Sequence, residues 1–135
     1  MKLTTLGCWG AYPYKDGGTT SYLVTSEDGF QLLMDCGSRA VTELEKEISP
    51  LDLDAVIISH YHPDHVADLG VLRHYFQLYP KHLWEPKILP IYGPTEDEQE
   101  FAKLTLDGVS QGKAYDVNGV EKIGPFDITF IKTVH

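Results

Sequence analysis

The sequence predicts an α/β (α+β) fold, and three observations carry that prediction. Two short apolar strands joined by a glycine turn lie near the start, at 21–26 and 30–34. Strand and helix patterns then alternate, and the apolar run Ala55-Val56-Ile57-Ile58 leads directly into a helical stretch. Turn signals at Asn118-Gly119 and Gly124-Pro125 separate further strand patterns towards the end.

Length and charge set bounds. A chain of 135 residues reads as one domain, 1–135. Hydrophobic content of 42% and charged content of 23% are ordinary for a globular protein. Net charge is −9, which repels polyanions unless local basic patches or bound metal outweigh it. Cys8 and Cys36 form no C-x-x-C and no disulfide framework, as expected of thiols in a reducing compartment. No signal segment and no apolar run of about 20 residues is present, so the expectation is a cytoplasmic protein without a membrane partner.

In order, Lys2 to Cys8 reads as the first strand, followed by a turn-rich loop with Gly7, Gly10, Pro13, Gly17 and Gly18. Trp9, Tyr12 and Tyr14 in that loop either pack over the sheet or form one wall of a substrate pocket. Glu27-Asp28-Gly29 joins the next two strands, and Asp35 follows at a strand end. Arg39 to Ile48 reads as an amphipathic helix with Val41, Leu44 and Ile48 on one face, ended by Ser49-Pro50.

The spacing from Val66 to Tyr79 predicts a second helix, in which Asp68 either bonds a nearby imidazole or caps. His74 reads as surface, and His82 as a loop residue outside any cluster. Lys87 to Tyr92 reads as a strand in which Pro90 argues for an edge or a strand start. Thr95-x-x-Glu98 reads as a capping box opening a helix with Phe101 and Leu104 inward. Ala114–Val117 and Val120–Ile123 flank Asn118-Gly119 as a predicted hairpin, and Phe126 to Val134 reads as the last strand.

The chemistry concentrates at Ser59-His60-Tyr61-His62-Pro63-Asp64-His65, a strand-to-helix corner. Imidazole nitrogen and carboxylate oxygen are ligands that borderline metals such as zinc take. His60 and His62 are two apart at a strand end, where alternate side chains point the same way and can grip one ion. Pro63 fits a first helical turn. Asp64 and His65 would then diverge by about 100°, which favours two adjacent metal positions. The bland alternative is a polar corner whose imidazoles cap the helix and meet water. Three His and one Asp within six positions weigh against it.

His60-x-His62-x-Asp64-His65 after an apolar strand resembles the signature of the metallo-β-lactamase superfamily. Leu6-Gly7-Cys8-Trp9-Gly10 with Pro13, then Ser21-Tyr22-Leu23 and Leu33-Met34-Asp35-Cys36-Gly37, resemble its ribonuclease Z-like branch, and most of all small bacterial metal-dependent hydrolases. The resemblance covers the whole chain, yet such proteins are longer. The expectation is therefore the N-terminal αβ half of an αββα sandwich, with a mixed sheet and helices on one face.

The resemblance implies a division of labour. His60, His62 and His135 would hold one zinc with a position open for water, as in catalytic rather than structural sites. Asp64 and His65 would contribute to a second metal, Asp64 also orienting the nucleophile, and Asp35 would support the histidine loop from behind. The implied cofactor is Zn2+, two ions in the full family site, with Mn2+ or Fe as alternatives. A bridging Asp and a final His are expected beyond His135, so this chain alone is expected to hold one metal at most and to need the remainder for activity.

The implied function is a zinc-dependent hydrolase cleaving a phosphodiester or ester-like bond of a small anionic or ester substrate through water activated by the metal. The tRNA 3′-processing endonucleases of the branch carry a basic Arg-containing stretch after the loop proline, whereas here Pro13-Tyr14-Lys15-Asp16-Gly17 has only Lys15. With the acidic balance, this ranks nucleic acid second. A third alternative is a non-catalytic metal-binding or dimerising half-domain. It would expose an inner sheet face with Phe126, Ile128 and Phe130, and would self-associate as a homo-oligomer.

Overall fold

The structure is a computed structural model that describes residues 1–134; the candidate ligand His135 lies outside the described residues. Its centre is a seven-stranded mixed sheet in the order β2-β1-β3-β4-β5-β6-β7. The strands are β1 (Lys2–Trp9), β2 (Gly18–Thr19), β3 (Ser21–Thr25), β4 (Gln31–Met34), β5 (Ala55–Ile57), β6 (Leu89–Gly93) and β7 (Ser110–Ala114). Antiparallel pairing joins β1 to β3 and β3 to β4, and parallel pairing runs from β4 through β7. The parallel strands need crossovers. These carry α1 (Ala40–Leu44), α2 (Pro63–Val66), α3 (Leu69–Leu78) and α4 (Glu98–Ala102).

Period-2 alternation divides the core. Leu23, Leu33, Val56, Ile58, Leu89 and Ile91 point to the helical face, where Leu44, Leu72 and Phe76 cover them. Val24, Leu32, Ala55 and Ile57 point the other way. A small antiparallel hairpin of β8 (Val120–Ile123) and β9 (Phe126–Thr129) covers part of that second face. Phe126, Ile128 and Phe130 are therefore half-buried rather than an exposed patch. Leu3 and Met34, on the same face, stay exposed at 63% and 40%. Among the described residues no helix is long and apolar enough to cross a membrane.

Several predicted elements are displaced, each for a local reason. The helix expected over 39–48 is only Ala40–Leu44. Beyond it, Lys46 and Glu47 donate to the carbonyls three residues back, a tighter winding that runs into Pro50. The helix expected over 66–79 is divided into α2 and α3. Asp68 is drawn out of line because its N–H donates to Cys36 O (3.1 Å) and its carboxylate accepts from Val41 N at the head of α1 (3.1 Å). Asp68 thus caps across elements and, among the described residues, bonds no imidazole. Pro90 sits at the start of β6, an interior strand, ahead of its first pairing with β5 at Val56↔Ile91.

The hairpin lies elsewhere than predicted. Asn118-Gly119 does form a turn, with Gly119 N donating to Asp116 O, but β7 is already committed to β6 in parallel. Val120–Ile123 pairs instead with β9 across Gly124-Pro125. Gly124 at φ +55 and Pro125, whose ring fixes a negative φ, suit a type II′ turn. The last strand ends at Thr129 rather than continuing to Val134.

The cap of α4 is Asp97, whose carboxylate accepts from Glu100 N at 3.0 Å, and not Thr95. Asp97→Ala is expected to cost about 1 kcal/mol in chemical denaturation. Thr95→Ala should stay within about 0.5 kcal/mol of the parent. Equal losses in the two variants would contradict this assignment.

Candidate metal centre

The corner is built at the carboxyl ends of β4 and β5, which lie side by side in parallel register, Met34 opposite Ile57. Asp35, one residue past β4, adopts φ 58, a left-handed conformation that aspartate tolerates better than most residues. From there its carboxylate reaches the next strand end. One oxygen accepts from Ser59 N at 2.8 Å. The other accepts from Ser59 Oγ at 2.8 Å and from His65 Nδ1 at 2.7 Å. Gly37 lets the strands close over this point, because a Cβ there would collide with Asp64 O and Thr19 Oγ1.

Asp35 fixes the proton positions. A carboxylate only accepts, so His65 Nδ1 is the donor, and His65 Nε2 is the nitrogen left to ligate. Ser59 Oγ gives its proton to Asp35 and lies 3.0 Å from His60 Nδ1. Ser59 Oγ is therefore the acceptor of that contact, and His60 Nε2 is likewise left to ligate.

The ligating atoms then come together. His60 Nε2 lies 3.2 Å from His62 Nδ1, and His65 Nε2 lies 3.5 Å from Asp64 Oδ2. The His60 and His65 rings are 4.0 Å apart, centroid to centroid. Asp64 and His65 converge here instead of diverging. A proton or a cation can sit between the members of each pair, and imidazole nitrogen with carboxylate oxygen is a donor set that fits a metal such as zinc. Among the described residues no group of three or more His, Cys, Asp or Glu side chains gathers closely enough to hold an ion alone. The four donors form two adjacent pairs instead.

The aromatic loop is tied to this corner. Ala11, at φ 62, donates its N–H to Asp64 Oδ2 at 3.0 Å. That bond holds the Asp64 carboxyl below the usual carboxylate range, against the opposing effect of burial. Trp9, Tyr12 and Tyr14 around it are exposed and, with Gly10, line an open cavity. A second cavity beside His60 and His62 is walled by Tyr61, Pro94, Glu96, Asp97 and Glu100. Burial, with Asp97 and Glu100 adding to it, pushes the Tyr61 phenol up to about 12, and its hydroxyl donates to Pro94 O at 2.8 Å.

Sequence reasoning placed Asp35, His60, His62, Asp64 and His65 together, and the structure brings all of them to one corner. It passed over Ser59, the relay between Asp35 and His60, although Ser59 stands directly before the first histidine. It also passed over the Ala11 amide, for which no side-chain signal exists. His74 and His82 are exposed.

A family model described as the metallo-beta-lactamase superfamily matches residues 14–134. The Bacillus subtilis (strain 168) protein called probable metallo-hydrolase YhfI is 42% identical over 135 residues, 100% of this chain and 55% of that protein. A ribonuclease Z of Methanopyrus kandleri is 37% identical over 131 residues, 96% of this chain and 45% of that protein. The crystal structure of YhfI, described as a metallo-beta-lactamase fold protein, superposes with a TM-score of 0.89 at 41% identity, covering 98% of this chain and 53% of that one. The chain belongs to the metallo-beta-lactamase superfamily and has its α/β fold with a mixed sheet. It spans about half the length of the curated relatives it matches.

Asp35 is the support on which both ligand pairs depend. Asp35→Ala removes acceptors for three donors, and thermal or urea unfolding should show a loss on the order of 3 kcal/mol. A variant as stable as the parent would contradict the clamp.

Proposed function

We propose that this chain carries the metal-holding corner of a zinc-dependent hydrolase acting on a phosphodiester or ester-like bond. The observation that carries the proposal is the pairing of ligating atoms, His60 Nε2 with His62 Nδ1 and His65 Nε2 with Asp64 Oδ2, each pair oriented from behind through Asp35. A ligating histidine whose other ring nitrogen is held by a carboxylate is the arrangement that fixes tautomer and raises basicity. The similarity to a protein called a probable metallo-hydrolase supports the same reading.

In this proposal His60 and His62, with His135, would hold one ion, and Asp64 and His65 would contribute to a second. Metal bound there would supply Lewis-acid polarisation of the substrate oxygen and a water of pKa lowered towards about 7. Asp35 and Ser59 hold His60 and His65 in the ligating tautomer. Ala11 steadies Asp64, which orients the attacking water with its carboxylate. Lys15 beside the Tyr14 ring supplies positive charge near an otherwise acidic mouth, which suits a small anionic substrate. The two free thiols, Cys8 exposed and Cys36 buried, fit a cytoplasmic setting.

A tRNA-processing role ranks second. The 37% identity to a ribonuclease Z favours it, while the net charge of −9 and the acidic wall of Glu96, Asp97 and Glu100 oppose it. Salt-sensitive tRNA binding would reverse that order. A non-catalytic metal-binding or dimerising role ranks third, supported by the exposed Leu3 and Met34.

The test has two stages. Elemental analysis after dialysis is expected to find zinc retained by the parent chain and lost from His60→Ala and His62→Ala. Equal zinc in all three overturns the metal reading. Zinc-dependent turnover of bis(p-nitrophenyl) phosphate that disappears in His62→Ala supports the hydrolase.

A further inference from the structure

The end of β5 is gripped from two sides, and Asp35 supplies only one grip. On the other side stands Tyr115, the residue after β7 and only 8% exposed. Its hydroxyl donates to Ile58 O at 2.9 Å and lies 3.2 Å from Ser59 O. Its ring stacks on Phe130, with centroids 4.0 Å apart and planes 11° from parallel.

The ladder explains why a side chain is needed there. Ile58 N donates to Tyr92 O at 2.8 Å, continuing the parallel β5–β6 pattern. The next bond of that pattern would run from the N–H of residue 94 to Ile58 O. Residue 94 is Pro94, which has no N–H. The Ile58 carbonyl, on a fully buried residue, needs another donor, and a hydroxyl reaching across the end of β6 provides it. The same hydroxyl steadies the Ser59 carbonyl, so Ser59 is fixed at its N–H and Oγ by Asp35 and at its C=O by Tyr115. His60 is the next residue.

We propose that Tyr115 is a positioning residue for the metal corner, replacing the bond Pro94 cannot make and thereby setting where the His60 ring presents Nε2. This rests on the metal-holding reading of His60 and His62. Among the described residues, Tyr115 makes no contact with a candidate ligand ring. It acts through the backbone of Ile58 and Ser59.

The test measures zinc affinity by chelator competition, and the cobalt(II) absorption spectrum, in the parent chain and three variants. Tyr115→Phe keeps the ring and its stack on Phe130 but removes the hydroxyl. Ser110→Ala is the control. It removes a buried hydroxyl-to-carbonyl bond on β7 (Ser110 Oγ to Leu104 O, 2.7 Å) far from the corner. His62→Ala reports on the metal reading itself.

Tyr115→Phe is expected to bind zinc about ten-fold more weakly and to shift the cobalt bands, while Ser110→Ala stays within about two-fold of the parent. Parent-like affinity and spectrum in Tyr115→Phe, with binding lost in His62→Ala, overturns the inference and leaves the metal reading standing. Equal weakening in Tyr115→Phe and Ser110→Ala also overturns it, because the effect would then be general loss of packing. Binding that His62→Ala does not change overturns the metal reading, and this inference with it.

Discussion

A single carboxylate holds the histidine corner together. Asp35 satisfies the amide and hydroxyl of Ser59 and the Nδ1 proton of His65, all within 2.8 Å. Charged hydrogen bonds in a partly buried place are stronger than neutral ones, so these contacts set geometry more firmly than any packing nearby. They also decide chemistry. Because Asp35 can only accept, it dictates which nitrogen of His65, and through Ser59 which nitrogen of His60, remains available to a cation.

The fold makes that contact possible. Parallel pairing of β4 and β5 brings two carboxyl strand ends to the same edge, where open α/β sheets usually bind their ligands. The left-handed turn at Asp35 then aims its side chain sideways instead of onward along β4. Such strain persists only where surrounding bonds over-determine it. Here three donors do. Asp68 closes the assembly from the helical side by bonding both the segment after β4 and the head of α1, which is why α2 and α3 cannot be one helix.

The legible part of this site was the local part. Three imidazoles and a carboxylate between 60 and 65 are visible because their meaning lies in short spacing after an apolar strand. Asp35 could be placed only by resemblance, since a lone aspartate before a glycine is otherwise an ordinary turn residue. Tyr115 was out of reach altogether. Its partners are more than fifty residues away, and its purpose depends on Pro94 falling where an N–H should meet Ile58 O. The fold shows the same division. The turn at Asn118-Gly119 is real, but which strands meet depends on β6 having already taken β7. Local chemistry names turns; it does not choose partners across the sheet.

The central claim is that Asp35 presets the ring nitrogens for a cation. The most direct measurement is long-range proton–nitrogen correlation NMR of the histidine side chains, recorded without and with zinc. The account predicts that His65 keeps its proton on Nδ1 while zinc shifts Nε2. For His62 the zinc-dependent shift falls on Nδ1. Histidines that exchange freely between tautomers and do not respond to zinc, or a zinc shift at His65 Nδ1, would contradict it.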